Sequence, residues 1–186
     1  MAALLPIDLT KIAWTAGDLT CFEVRGEQAA KTVLADDPTA AVAFGHRATF
    51  GFDAALGQVA IRLVLDISVG RQGQTPTAGI GGHFELYFGF TVANLTELLA
   101  GPEPAPAGEP ALPPQLPAQL LLLLTSVAYS TARGILWTRL AGTPLDGITL
   151  PLLDPRELLL PAAEEDQQAK KPRKAPARAR KPGVKS

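Results

Sequence analysis

The first half of the chain contains three stretches in which apolar and polar residues alternate. Val59 to Val69 carries Val, Ile or Leu at every odd-numbered position, with Arg62 and Asp66 among the residues between them. Ala41 to Phe52 and Phe84 to Val92 show the same period of two residues. This period is typical of strands that bury one face, and turn-rich connections join the three stretches. We therefore predict three strands of an antiparallel meander.

Two weaker patterns precede the meander. Leu19 to Arg25 alternates loosely and predicts a short first strand. Glu27 to Ala35 has a weakly helical composition, and Asp36-Asp37-Pro38 ends it, because proline disfavours helical backbone in the residue before it. The sheet is therefore expected to have four strands.

The second half of the chain predicts helices. Gly101 to Pro117 holds seven prolines in seventeen residues and is expected to be an exposed linker. A long helix is predicted from Pro117 to Leu140, with Gly142 beyond its end. A short helix is predicted through Leu160, with Asp154 as its N-cap. Strands followed by helices predict an α+β fold, in which the helices cover one face of the sheet.

The long helix raises the question of a membrane span. Leu116 to Trp137 is long enough to cross a bilayer. Polar residues such as Gln119, Ser126 and Arg133 interrupt it, and a spanning helix carries few central charges. The pattern therefore favours a buried helix of a soluble protein without membrane insertion.

Small side chains recur every four residues along the same helix, at Ser126, Ser130, Gly134 and Thr138. Residues spaced by four lie on one helix face, and a ridge of small residues lets a second helix approach closely. This small-residue ridge either forms the interface of a homo-oligomer built on paired long helices or faces solvent. The sequence leaves both alternatives open.

Composition and charge restrict the class of protein. With 186 residues, of which 47% are hydrophobic, the chain can form one core, which we place in residues 1–163. That body has nine basic and fifteen acidic residues, a net charge of −6, whereas residues 164–186 have eight and three, a net charge of +5. Cys21 is the only cysteine, and no signal-peptide pattern opens the chain, so we expect a cytoplasmic protein without disulfides.

The basic tail, residues 164–186, alternates basic residues with Pro and Ala from Lys170 to Lys185 and contains no aromatic residue. Disorder is expected for this composition. The tail either solubilises the protein or binds nucleic acid or an acidic surface weakly and without reading sequence. The residues that would make this contact are Lys170, Lys171, Arg173, Lys174, Arg178, Arg180 and Lys181.

The sequence contains no pattern typical of a catalytic or cofactor site. His46 and His83 are the only histidines, and neither has a metal-ligand spacing with Cys21 or with the other. Gly79-Ile-Gly-Gly-His precedes a predicted strand, whereas a phosphate-binding loop precedes a helix. We therefore expect a protein that is not an enzyme and uses no cofactor or metal.

Two segments of the second half carry a resemblance to a known family. Tyr129-Ser-Thr-Ala-Arg-Gly-Ile lies in the long helix, and Gly142-Thr-Pro-Leu is followed by Leu150-Pro-Leu-Leu and the short helix. This arrangement resembles the C-terminal half of the SecB family of export chaperones. The resemblance covers roughly residues 8–160 and is close from Ser126 to Leu158.

Such a resemblance implies a SecB-like four-stranded antiparallel sheet followed by one long and one short C-terminal helix. It also implies a tetramer, built as a dimer of dimers, that holds unfolded or nascent polypeptides without ATP, for secretion or as a partner of toxin–antitoxin pairs. An adaptor domain that brings a nucleic-acid-binding tail to a protein partner is the alternative function. Candidate client contacts, each with core packing as its alternative, are Phe22, Val42, Phe44, Leu152, Leu153, Leu158 and Leu159.

Overall fold

The structure is a computed structural model that describes residues 7–71, 79–99 and 115–159. Most of the predicted linker (residues 101–114) and the whole basic tail lie outside the described residues. The elements in chain order are a short 3-10 helix (Leu9–Lys11), β1 (Ile12–Arg25), α1 (Ala30–Asp36), β2 (Ala40–Asp53), β3 (Gln58–Arg71), β4 (Ile80–Val92), α2 (Leu95–Leu99), α3 (Ala118–Arg139) and α4 (Pro155–Leu159).

The four strands form one antiparallel sheet in the order β1-β4-β3-β2. β2, β3 and β4 are the predicted meander, and β1 lies beside β4 at the opposite edge from β2. The chain therefore crosses from one sheet edge to the other between β1 and β2, through α1, in a Greek-key arrangement. The predicted α+β fold, with four strands and then a long and a short C-terminal helix, is confirmed.

β1 begins at Ile12, seven residues before the predicted start at Leu19, which was wrong. Its register against β4 shifts between Trp14 and Ala16 and again between Leu19 and Cys21. Each such bulge inserts one residue, so the side chains that follow change parity. Because of this change of parity, β1 lacks the strict alternation over its full length that would have predicted its first half.

The core lies between α3 and the two inner strands. The odd-numbered row of β3, from Val59 to Val69, is at most 5% exposed, and the apolar side chains of β4 that face the same way are also buried. On α3 the buried residues recur at helical spacing, which gives the helix one apolar face. That face consists of Leu120, Leu124, Ala128, Ala132 and Leu136, all at most 1% exposed.

By length and composition, α3 is the one helix among the described residues that is long and apolar enough to cross a membrane. Seven of its residues are buried, and it packs against β3 and β4. The core helix of a soluble protein meets the same criteria, and the packing of α3 on the sheet agrees with the predicted buried helix.

The other face of the sheet, which we call the outer face, carries a network of charged side chains. Each ring nitrogen of His83 faces a carboxylate: Nδ1 lies 2.7 Å from Asp66 Oδ1, and Nε2 lies 3.4 Å from Glu85 Oε1. Arg62 donates to both oxygens of Glu85, at 2.7 and 2.8 Å. The hydrogen bond to Asp66, with a smaller contribution from Glu85, raises the pKa of His83 above its ordinary value of 6.5.

We expect this network to make stability depend on pH. Because the pKa of His83 is raised in the folded chain, protonated His83 stabilises the fold below pH 6.5, and this contribution is lost as the pH rises through the raised value. Urea unfolding between pH 5.5 and 8.5 should show a difference between the wild type and His83→Gln that shrinks as the pH rises. Identical pH profiles for the two proteins would contradict the assignment.

Candidate client-binding surface

Two side chains of α3 fix the segment that follows it. The Tyr129 hydroxyl donates to the Pro151 carbonyl at 3.0 Å, and Arg133 Nε–H donates to the Leu150 carbonyl at 3.1 Å. Burial raises the pKa of Tyr129, so its hydroxyl stays protonated and remains a donor. These bonds give a physical role to the Tyr and Arg of the resemblance: they hold Leu150 and Pro151 against the helix.

The connection between α3 and Leu150 turns tightly and is anchored in the core. Gly142 and Gly147 adopt φ values of +76° and +83°, a backbone region that favours glycine. Leu145, between them, is fully buried. The Ala30 N–H donates to the Pro144 carbonyl at 2.7 Å, which ties this connection to the start of α1. The Gly-Thr-Pro-Leu motif therefore sets the path by which the chain reaches α4.

α4 begins as predicted, with Asp154 as its N-cap. The Arg156 N–H donates to Asp154 Oδ1 at 2.9 Å, and the helix contacts both α3 and β2. Leu158 is 3% exposed and belongs to the hydrophobic core, which corrects its assignment as an accessible client contact. A short helix has one side facing inward, and Leu158 holds that position.

Beside α4, an apolar surface remains partly uncovered. The even-numbered side chains of β2 face the helices and are apolar except for His46; they are half-buried or, at Phe52, exposed, whereas the equivalent row of β3 is buried. Leu152 is 83% exposed, and Leu153 and Leu159 are half-buried. We call this set the β2-side surface, and it consists of Val42, Phe44, Ala48, Phe50, Phe52, Leu152, Leu153 and Leu159.

Phe22 does not join this surface. It lies on β1, where it is 39% exposed and its ring centroid is 5.3 Å from that of Phe84. Two strands separate β1 from β2, so the two sites are about 14 Å apart across the sheet. The structure thus brings Val42, Phe44, Leu152 and Leu153 towards one side of the molecule and places Phe22 at the other.

β1 carries a second exposed aromatic residue, which the sequence pattern did not single out. Trp14 is 57% exposed, and its indole N–H donates to the Ala16 carbonyl. Its ring lies so close to Gly17 that a Cβ there would be 2.6 Å from it. The sequence shows a tryptophan three residues before a glycine, but the bulge between Trp14 and Ala16 breaks the alternation that would have placed both in a strand.

The small-residue ridge lies on α3 away from the core. Ser130, Gly134 and Thr138 are exposed and Ser126 is half-buried. Among the described residues, no atom lies within 4 Å of a Cβ built on Gly134, leaving aside its two chain neighbours and the nearby backbone of α3. The hydroxyls of Ser126 and Thr138 donate to carbonyls of α3 itself, at 2.6 and 2.8 Å. The ridge is therefore accessible, and both the interface and the solvent-facing alternatives stay open.

Within residues 7–71, 79–99 and 115–159, no group of three His, Cys, Asp or Glu side chains could hold a metal ion. Nδ1 of His46 is buried and has no hydrogen-bond partner among these residues. The β2-side surface combines apolar area with the edge of a sheet. Both features suit the binding of a polypeptide.

Scans against protein-family models and curated protein sequences find no match. Among solved structures, the SecB-like chaperone Rv1957 of Mycobacterium tuberculosis, in complex with a ChAD peptide from the Rv1956 HigA1 antitoxin, is similar at a TM-score of 0.52. Sequence identity is 13%, and the alignment covers 77% of this chain and 91% of that one. A protein of unknown function from Streptococcus agalactiae gives a TM-score of 0.35 at 9% identity, with coverages of 76% and 97%. The chain has a SecB-like fold.

Proposed function

We propose that this chain is an ATP-independent chaperone that holds unfolded or nascent polypeptides on the β2-side surface. The observation that carries the proposal is the mainly apolar, half-buried row of β2, the strand that α4 contacts, together with Leu152, which lies three residues before α4 and is 83% exposed. Apolar area removed from water contributes about 25 cal/mol per Å². A long client segment can therefore be held by many weak contacts, without covalent chemistry and without a cofactor.

The fold supports a polypeptide as the partner. The M. tuberculosis protein of the same fold was solved with a peptide from an antitoxin. By analogy, this chain acts in the cytoplasm, in protein export or in toxin–antitoxin control, and it is not an enzyme.

An aggregation assay tests this function. The purified chain should slow the aggregation of several unrelated chemically unfolded clients, followed by light scattering, in the absence of ATP. Suppression should survive ~1 M salt, because salt screens charge pairing but does not weaken apolar burial. If the chain slows the aggregation of none of these clients, the holding function is refuted.

The proposal includes a homo-oligomer, a dimer or a tetramer, assembled through the small-residue ridge. Gly134→Leu fills a site that is open in the monomer and raises helix propensity, so the monomer fold should be preserved. At a close helix–helix contact the added side chain costs about 1–3 kcal/mol, which weakens association about 5- to 150-fold.

Light scattering at tens of micromolar measures this effect. The wild type should exceed the monomer mass of 19.5 kDa, and Gly134→Leu should approach it, with an unchanged circular dichroism spectrum. A monomeric wild type would contradict the oligomer. An unchanged mass for the variant would mean that the ridge faces solvent.

The basic tail supports a second candidate function, that of an adaptor which binds nucleic acid weakly. Its net charge of +5 is the observation in favour. Removing residues 164–186 separates the two functions. A chaperone keeps suppressing aggregation without the tail, whereas an adaptor loses binding to a fluorescent DNA duplex and has no suppression to lose.

A further inference from the structure

β2 is an edge strand of unusual regularity. It pairs with β3 over all fourteen residues without a register shift, and no described strand pairs with its other side. The opposite edge strand, β1, is interrupted by two bulges. Bulges protect an edge from pairing with another chain, whereas a long regular edge presents a row of main-chain donors and acceptors to an extended segment. Of the two edges, β2 is the one suited to strand addition.

The two faces of β2 differ in a way that suits an added strand. The row towards the helices is apolar except for His46 and is half-buried along most of its length, so a strand placed beside β2 would extend it and cover Phe44 and Phe50. The row on the outer face is mostly small, with Ala43, Gly45 and Gly51 leaving the edge flat. Only Arg47 adds a charge within this row before the strand ends at Asp53.

Arg47 is exposed and makes no ion pair with any residue that the structure describes. Val64 lies directly opposite Arg47 on β3, and the charged neighbours on the two diagonals are Asp66 and Arg62, opposite Gly45 and Thr49. Asp66 is engaged with His83, and Arg62 with Glu85. A strand added beside β2 would therefore face the guanidinium of Arg47, which has no carboxylate partner among the described residues. This favours an acidic residue in the added strand.

A second copy of this chain is a poor occupant of the same edge. In antiparallel pairing, residues on the same face lie opposite each other. Two copies of β2 in full overlap would place Arg47 opposite Arg47 of the second copy, or on the diagonal to it. Like charges at these positions are destabilising, and the small outer-face residues around Arg47 supply no compensating carboxylate.

We propose that β2 binds, as an added strand, an extended client segment with apolar side chains at alternate positions and an acidic residue opposite Arg47. This inference rests on the proposed holding function and names the class of segment it recognises. Main-chain hydrogen bonds and the apolar row supply affinity. Arg47 selects among apolar segments by the charge of one outward-facing residue.

The first test uses main-chain methylation. The probe is a fluorescein-labelled peptide, Thr-Leu-Thr-Leu-Asp-Leu-Thr-Leu-Thr, whose binding to the full chain is followed by fluorescence anisotropy. Alternate N–H groups of a strand point to the same edge. N-methylation of one alternate set should therefore weaken binding at least about tenfold, whereas methylation of the other set should leave it nearly unchanged. Equal effects of the two sets would overturn strand addition.

The second test reverses the charge at Arg47. The aspartate peptide should bind about three- to tenfold tighter than the same peptide with lysine at its centre, and Arg47→Glu should invert this order. Arg25→Glu, at an exposed position on the outer face of β1, is the matched control and should leave the order unchanged. A preference that Arg47→Glu leaves intact, or that Arg25→Glu inverts, would overturn the role of Arg47.

The outcomes separate this inference from the holding function. A chain that suppresses aggregation but does not bind the peptide keeps the proposed function and loses strand addition at β2. A chain that neither suppresses aggregation nor binds the peptide would contradict both the holding function and strand addition. If saturating peptide lowers the mass of the oligomer in light scattering, the edge is occupied by a second copy, and the proposed client site is overturned.

Discussion

Phe88→Ala is expected to destabilise the fold by about 3–5 kcal/mol, a large share of the 5–15 kcal/mol by which domains of this kind are stable. Phe88 is 1% exposed on β4, opposite Ile61 of β3, in the row of the sheet that faces the helices. Removing its ring leaves a cavity that the neighbouring rigid strands cannot close. The expected result is a large fall in the urea midpoint, or no folded protein at all.

Phe52→Ala is the matched control, since Phe52 lies in the equivalent row at the β2 edge and is 36% exposed. Because part of this ring remains in water, its loss should cost only about 1–2 kcal/mol. Urea unfolding followed by circular dichroism compares the two variants. Equal losses would show that the edge row is packed as tightly as the centre and would remove the structural basis of the β2-side surface.

The sequence predicted most of the architecture because β2, β3 and β4 have a period of two residues, which is strict in β3. Each of these strands was placed to within about four residues, and α3 to within one. β1 was the exception, since two bulges changed the parity of its side chains. Helix α2 was missed because Leu95–Leu99 is a single short turn that follows directly after β4. An element can be predicted from periodicity only when its pattern repeats several times, and neither β1 nor α2 has enough uninterrupted repeats.

The candidate site was harder to predict than the fold. The rows Val42–Phe52 and Val59–Val69 have the same pattern in the sequence, yet one is half-buried and the other buried. The difference arises from strand order, because β2 is at an edge and β3 is inside. Leu152 and Leu158 likewise look alike, and only the placement of α4 exposes the first and buries the second.

Leu152→Glu is expected to weaken client holding strongly without affecting the fold. Leu152 is 83% exposed, so the charge is solvated in the free chain and becomes costly only when a client covers it. A buried leucine contributes about 1.5–3 kcal/mol, so client affinity should fall about 10- to 100-fold. Leu153→Glu and Phe44→Glu should abolish suppression as well, provided that circular dichroism shows these half-buried positions still folded.

Leu56→Glu is the control for surface charge in this comparison. Leu56 is 63% exposed in the turn between β2 and β3, where the same substitution adds the same charge at a residue that is not part of the β2-side surface. Light scattering of an aggregating client should show suppression by the wild type and Leu56→Glu but not by Leu152→Glu. If both glutamate variants lose activity, net charge rather than a defined surface governs holding. If both retain it, clients bind elsewhere, and the exposed Trp14 and Phe22 at the β1 edge become the surface to test.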